Sequence, residues 1–331
     1  MKRVKRIFAC LLALTMMFGL SATAFAAENG TTPTNQETVT IKKKYILTNA
    51  DTTSPEETFT LKQVGDGDVT DGEATSAPAL GTITGAYFAK DAATVDGAIA
   101  DITVALPVYT SVGVYEYTLK EEAGTTAGVT YYGKDIKLVV TVINGDNGKL
   151  RVAAVHTEAA GEDKSDTFEN TYSAGTLKIS KTVKGNLGDQ SKYFEFKVTL
   201  NGDTEKTYTG SYAGSDGYAV SGGSNTSNPK FIKMKEETTF WLKDGETISI
   251  ANLPYGVKYT VTETTAKGYT TTKAGDEGTI NEAEQTAAFT NSKTGNVDTG
   301  VYLDNLPYIL VFAGVLAIAA VFVVRRRRFE D

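Results

Sequence analysis

Short runs in which Thr, Val, Ile and Tyr alternate with polar residues constrain this chain most: Thr38–Leu47, Tyr115–Glu121, Ile136–Ile143, Leu150–His156, Leu177–Val183, Tyr193–Leu200, Thr247–Ala251, Val257–Glu263 and Gln285–Thr290. A period of two is that of a strand with one buried face. Turn pairs such as Asn144-Gly145, Asn147-Gly148, Asn201-Gly202 and Asp244-Gly245 punctuate them. Between the two ends of the chain no long stretch keeps a helical period. The expectation is an all-β protein built of sandwich domains, and 331 residues suggest two of them. Residues 64–79, rich in Gly, Asp, Thr and Pro, read as a surface loop.

Both ends read as processing signals. Residues 1–26 carry Lys2, Arg3, Lys5 and Arg6, an apolar run from Ile7 to Leu20, and Ala24-Phe25-Ala26, the pattern of a secretory signal peptide cleaved after Ala26. Residues 27–37 follow as a flexible leader. Residues 306–324 are uncharged and nearly all apolar, and Arg325 to Arg328 open a basic tail over 325–331. That is a membrane-spanning length with a cytoplasmic stop, which places the bulk of the chain outside.

The lone cysteine, Cys10, lies in the signal peptide, so the mature protein has none and cannot staple itself with disulfides as exported proteins commonly do. One Cys and one His, His156, exclude a Cys/His metal centre or a Cys–His dyad. The formal charge is −7, from 33 Lys+Arg against 40 Asp+Glu, and four of the basic residues sit in each terminal signal. An acidic chain of this kind has no footprint for nucleic acid. We expect no metal and no cofactor.

A weak internal repeat sets the domain boundary. Val39-x-Ile41-x-Lys43 recurs as Leu177-x-Ile179-x-Lys181, Tyr117 to Glu121 recurs as Tyr259 to Glu263, and Thr167-Phe168-Glu169-Asn170 recurs as Ala288-Phe289-Thr290-Asn291. The pieces come in the same order twice, giving domains at 38–172 and 176–293 that meet near Ser173-Ala174-Gly175.

Alternation carries three polar residues inward in each copy. Lys43 shares a face with Val39 and Ile41, Glu121 with Tyr117 and Leu119, and Asn170 with Phe168; Lys181, Glu263 and Asn291 do the same in the second copy. Burial disfavours the charged forms of both lysine and glutamate. A neutral amine is a nucleophile, an asparagine carboxamide is an electrophile, and a glutamic acid between them can relay protons to the departing ammonia. The product is a Lys–Asn isopeptide bond, a cross-link that needs no cysteine. The competing view is that Lys43 and Lys181 snorkel to solvent from strand ends. Two ordered copies in a cysteine-free exported chain favour the cross-link.

Asn296-Val297-Asp298-Thr299-Gly300, the apolar run and the arginine tail together resemble the cell-wall sorting signal of Gram-positive surface proteins. In that family a sortase cleaves between Thr and Gly, here Thr299–Gly300, and passes the Thr acyl group to an amine. Asn296 and Val297 stand where the common motif has Leu and Pro.

With these residues in place the chain resembles the streptococcal T-antigen-type backbone pilins, which have two immunoglobulin-like domains, each with an internal isopeptide bond. The match is carried by Leu177 to Gly185, Leu242 to Glu246, Asn252-Leu253-Pro254-x-Gly256-Val257 and the Thr-Glu and Phe-Thr-Asn pieces. The resemblance implies bonds Lys43–Asn170 with Glu121 and Lys181–Asn291 with Glu263. It also implies a wall-anchored shaft in which sortase joins Thr299 of one copy to a lysine of the next, with accessory pilins and peptidoglycan as further partners. Gly161-Glu162-Asp163-Lys164-Ser165-Asp166 occupies the place of the family's acceptor, one residue offset, and Lys164 is expected near the domain junction; Lys134, Lys137 and Lys230 compete. The alternative is a single wall-anchored adhesin for a host protein or glycan. Nothing marks an extracellular hydrolase: His156, Glu121-Glu122, Glu236-Glu237 and Trp241 read as structural or solvated residues, so the protein is expected not to be an enzyme.

Overall fold

The computed structural model describes residues 37–159, 164–209, 217–296 and 306–327. The signal peptide with Ala26, the leader up to residue 36, the motif residues Val297 to Gly300 and the final residues 328–331 lie outside the described residues.

Two β-sandwiches follow one another along the chain. In the first, the sheet order is Ile83–Thr84, Ala98–Ala105, Thr38–Leu47, Thr167–Tyr172, Val129–Thr130, and the facing sheet runs Leu150–Ala159, Ile136–Asn144, Gly113–Glu121, Leu61–Gln63. In the second, Phe231–Ile232, Tyr218–Gly222, Thr247–Pro254, Ala174–Lys184, Glu284–Ser292 and Thr270–Ala274 face Glu237–Leu242, Phe194–Asn201, Lys258–Glu263 and Glu277–Thr279. The alternation seen in the sequence is realised as burial. Ile41, Tyr45, Ile102, Tyr117, Leu119 and Leu138 build the first core, and Leu177, Ile179, Phe196, Phe240, Ile248 and Phe289 the second. Burying each such side chain contributes roughly 1.5–3 kcal/mol.

One feature departs from the usual antiparallel habit of sandwiches. In each domain the first and last strands pair in parallel, Thr38–Leu47 with Thr167–Tyr172 and Ala174–Lys184 with Glu284–Ser292. The 64–79 segment also differs from expectation. Asp68–Gly72 is a strand that pairs with Gly113–Glu121 across a register shift. Its side chains are mostly exposed, so it has the hydrogen bonds of a strand without the apolar alternation that would announce one.

The domains join through Ser173, which donates to Gly128 O and accepts from the Tyr255 N–H. Gly128, at φ +80°, allows this closeness: a Cβ there would lie 2.7 Å from Ser173 O. Asn252 adds a reciprocal clamp. Its Oδ1 accepts from the Thr53 N–H and its Nδ2 donates to Thr53 O, both at 2.9 Å. It is buried and holds the left-handed φ of 58° that Asn tolerates.

Leu306–Arg327 is a helix. Among the described residues no helix is long and apolar enough to cross a membrane. The described side chains of this one, Tyr308 and Leu310 to Ala320, are all exposed, and the apolar run of the sequence extends past them on both sides.

Candidate functional site: two buried Lys–Glu–Asn triads

The parallel ladder sets the geometry. Lys43 pairs with Phe168, and Asn170 lies two residues on; Lys181 pairs with Phe289, and Asn291 lies two residues on. An even offset keeps lysine and asparagine on one face, pointing at the opposite sheet. From there Glu121 and Glu263, at the ends of Gly113–Glu121 and Lys258–Glu263, reach between them.

In the first site Lys43 Nζ donates to Glu121 Oε2, and Asn170 Nδ2 donates to Glu121 Oε1 at 2.6 Å. One carboxyl therefore touches both nitrogens, a different oxygen on each. The Tyr132 main-chain N–H lies 3.0 Å from Asn170 Oδ1 and 3.1 Å from Glu121 Oε1. Sequence reasoning missed that donor, because a backbone N–H leaves no residue signature. Phe59 and Tyr132 wall the amine, with ring centroids 5.6 and 5.2 Å from Nζ. Lys43 is 1% exposed. Desolvation holds its amine below the ordinary lysine range, with Glu121 pulling the other way.

In the second site Lys181 Nζ donates to both Glu263 oxygens at 2.9 Å, and Asn291 Nδ2 donates to Glu263 Oε1. The Phe194 centroid is 4.3 Å from the amine. Lys181 is likewise 1% exposed. Burial again lowers its pKa, against the raising effects of Glu263 and Asp244. Snorkelling to solvent is thus excluded for both lysines.

Other residues singled out in the sequence lie elsewhere. Lys164 is exposed and its backbone bridges that of Glu158. It is not at the domain junction, contrary to expectation. It precedes the strand Thr167–Tyr172, whose other end leads into the junction at Ser173, so Lys164 lies at the end of that strand away from the junction. Nearness in sequence is not nearness in space here, because the residues between Lys164 and Ser173 are laid out along an extended strand. His156 sits on the same sheet face as Glu158, its Nε2 3.7 Å from Glu158 Oε1. Its pKa is lowered by burial first and by the Lys164 charge second. Lys134 and Lys230 are exposed, and Lys137 pairs with Glu116 at 3.0 Å. Glu122 is exposed beside buried Glu121. Asn296, the last described residue before the tail, follows Gly295, which Asn186 holds from both sides through Nδ2 to Gly295 O at 2.7 Å and Gly295 N to Oδ1 at 3.1 Å. No group of His, Cys, Asp and Glu among the described residues could hold a metal.

Two sandwiches in tandem thus each bury a Lys–Glu–Asn triad between their first and last strands. Residues 33–173 match the family described as the Spy0128-like isopeptide containing domain, and residues 175–293 match a domain family of unknown function, DUF7601. The chain is similar over nearly its whole length to a pilin of Streptococcus pyogenes serotype M1, 29% identical over 339 residues, covering 94% of this chain and 98% of that one. The crystal structure of the major pilin from S. pyogenes superposes with a TM-score of 0.54 at 25% identity, covering 79% of this chain and all of that one. A pilus tip adhesin of S. pyogenes is 34% identical over 135 residues, which is 39% of this chain and 18% of the adhesin.

Proposed function

We propose that this protein is the backbone subunit of a sortase-assembled, wall-anchored pilus, and that each domain cross-links itself, Lys43 to Asn170 and Lys181 to Asn291. The observation that carries the reading is one buried arrangement made twice: lysine and asparagine diagonal on parallel first and last strands, with a glutamate from the facing sheet touching both. Ion pairing alone is a weak reason to bury these groups, since a well-packed apolar replacement often serves stability as well or better.

The chemistry balances without a cofactor. Nζ passes a proton to the glutamate, leaving a neutral amine and an acid. The amine attacks the asparagine Cγ, the carboxyl delivers its proton to Nδ2, and the resulting carboxylate takes the second Nζ proton. The Cγ–Nδ2 bond breaks, ammonia leaves and the glutamate ends protonated. Fixed packing supplies the proximity such a slow reaction requires. The bond closes nearly the whole domain into a loop and restricts the unfolded chain as a disulfide would. The glutamate acts once, on its own domain, and the mature protein is structural.

Head-to-tail assembly is supported by the two poles. Lys164 lies at the far end of the first domain, and the tail leaves after Ser292 at the far end of the second. In this reading sortase cleaves Thr299–Gly300 within Asn296–Gly300 and joins Thr299 to Lys164 of another copy. The 306–324 run holds the precursor in the membrane, and the last subunit passes to peptidoglycan, with accessory pilins on the shaft. The end-to-end match with a pilin favours the shaft over a solitary adhesin, since the tip adhesin is matched over 18% of its length. An immunoblot of wall extracts boiled in detergent tests this: a high-mass ladder is expected, and a single band would leave the adhesin. In the same blot Thr299→Ala should move the protein to the membrane fraction.

A further inference from the structure

The two triads differ at the atom where negative charge develops. Attack on the carboxamide carbon places that charge on Oδ1. In the first site Asn170 Oδ1 accepts the Tyr132 main-chain N–H at 3.0 Å. In the second site Asn291 Oδ1 is buried and has no hydrogen-bond partner among the described residues.

The cause is the length of one neighbouring strand. Each asparagine strand is flanked on its outer side by an antiparallel strand. In the second domain that strand, Thr270–Ala274, stays in the ladder past the site, with Thr271 opposite Asn291 and Thr272 and Lys273 opposite Thr290 and Phe289. In the first domain it is Val129–Thr130, paired only with Tyr172 and Thr171. The chain leaves the ladder at Thr130, one step before it would face Asn170. Freed from strand pairing, the backbone at Tyr132 turns its N–H onto the side chains of Asn170 and Glu121. The Tyr132 ring fixes it there, packed edge-on against Phe168 at 5.2 Å and lying 5.2 Å from Lys43 Nζ.

We propose that the Tyr132 main-chain N–H is an oxyanion donor for the Lys43–Asn170 cross-link, and that the Lys181–Asn291 cross-link, lacking one, forms more slowly. This rests on the cross-linking reading above. The donor lies within the 2.7–3.1 Å range that suits an oxyanion and needs no reorganisation as charge develops on Oδ1. In the tetrahedral adduct Nζ–Cγ has formed and Cγ–Nδ2 is still intact, so the oxygen carries the charge that the carboxyl's proton transfer to Nδ2 then discharges. Loss of one oxyanion donor typically costs roughly 10²–10³-fold in rate. This N–H is shared with Glu121 Oε1, so the difference between the sites is set lower, at about tenfold or more.

The test uses the full chain made by cell-free translation, quenched in denaturant at intervals, digested, and read by mass spectrometry for each cross-linked peptide. The Lys43–Asn170 peptide should appear about tenfold faster or more. Equal rates, or the reverse order, overturn the inference while leaving cross-linking in place; absence of both peptides at all times overturns cross-linking itself and this inference with it. A second arm replaces residue 132 by its α-hydroxy-acid analogue through nonsense suppression, turning the N–H into an ester oxygen. The first cross-link should slow toward the rate of the second, and Tyr132→Phe, which keeps the N–H, should not slow it. An unchanged rate in the ester variant also overturns the inference.

Discussion

Lys43 and Asn170 are diagonal neighbours on adjacent parallel strands, Lys43 paired with Phe168 and Asn170 one pleat beyond it. Lys181 and Asn291 repeat the relationship around Phe289. The parallel pairing of first and last strands brings a motif near the start of each domain beside one near its end, and the even offset keeps both side chains on one face. Each domain carries its own copy, so each can be tested alone.

Glu121→Ala leaves Lys43 between two aromatic rings with no carboxylate. Intact mass spectrometry should show the loss of one ammonia per chain, from the second domain, where the parent loses two. Guanidinium denaturation should show the first domain weakened by roughly 2–5 kcal/mol, the cost of losing a cross-link that closes a long loop, with the stranded amine adding to it. Glu263→Ala should give the mirror result.

Asn170→Ala keeps the Lys43 amine, whose pKa in the folded state lies below the ordinary 10.5. The unfolded chain then binds more protons than the folded one between that lowered value and 10.5, so stability rises with pH across this window and levels off above it. In a parent cross-linked as proposed the same nitrogen would be an amide and would not titrate. The stability gap between parent and variant should therefore narrow as denaturation is repeated from neutral pH toward 10.5.

Asn252→Ala removes both hydrogen bonds to Thr53 and strands that backbone at the junction. The loss should be about 1–3 kcal/mol, and small-angle scattering should report a wider spread of interdomain angles. Asn252→Gly accepts the φ of 58° without strain. It should recover part of the stability and none of the stiffness.

Lys164→Arg preserves charge and removes the primary amine. The wall-extract ladder should collapse to monomer while both ammonia losses persist. An undiminished ladder would move the acceptor to another lysine.

The faces of the long strands were legible because burial imposes a strict period of two, and Tyr117, Leu119 and Glu121 all point inward as alternation requires. The same rule brought each lysine, glutamate and asparagine to one place. The edge strands were not legible. Ile83–Thr84 and Val129–Thr130 are too short to show a period, and Asp68–Gly72 has no buried face to impose one. Within the site, the Tyr132 N–H escaped notice because it arises from a strand ending early. Lys164, expected near the junction, lies away from it because the residues between it and Ser173 extend along the strand Thr167–Tyr172.

The strand Thr167–Tyr172 passes through Ser173 alone into Ala174–Lys184. Tension applied between Lys164 and Asn296 therefore runs down a single extended backbone as far as Lys181. If the second cross-link is in place, it then crosses a covalent bridge to Asn291 and leaves along the tail. Neither sandwich is pulled open, because nearly all of each hangs beside that path. A shaft of such subunits would resist stretching as a chain of taut covalent segments, and its domains would keep their cores intact under forces that unravel ordinary sandwiches in series.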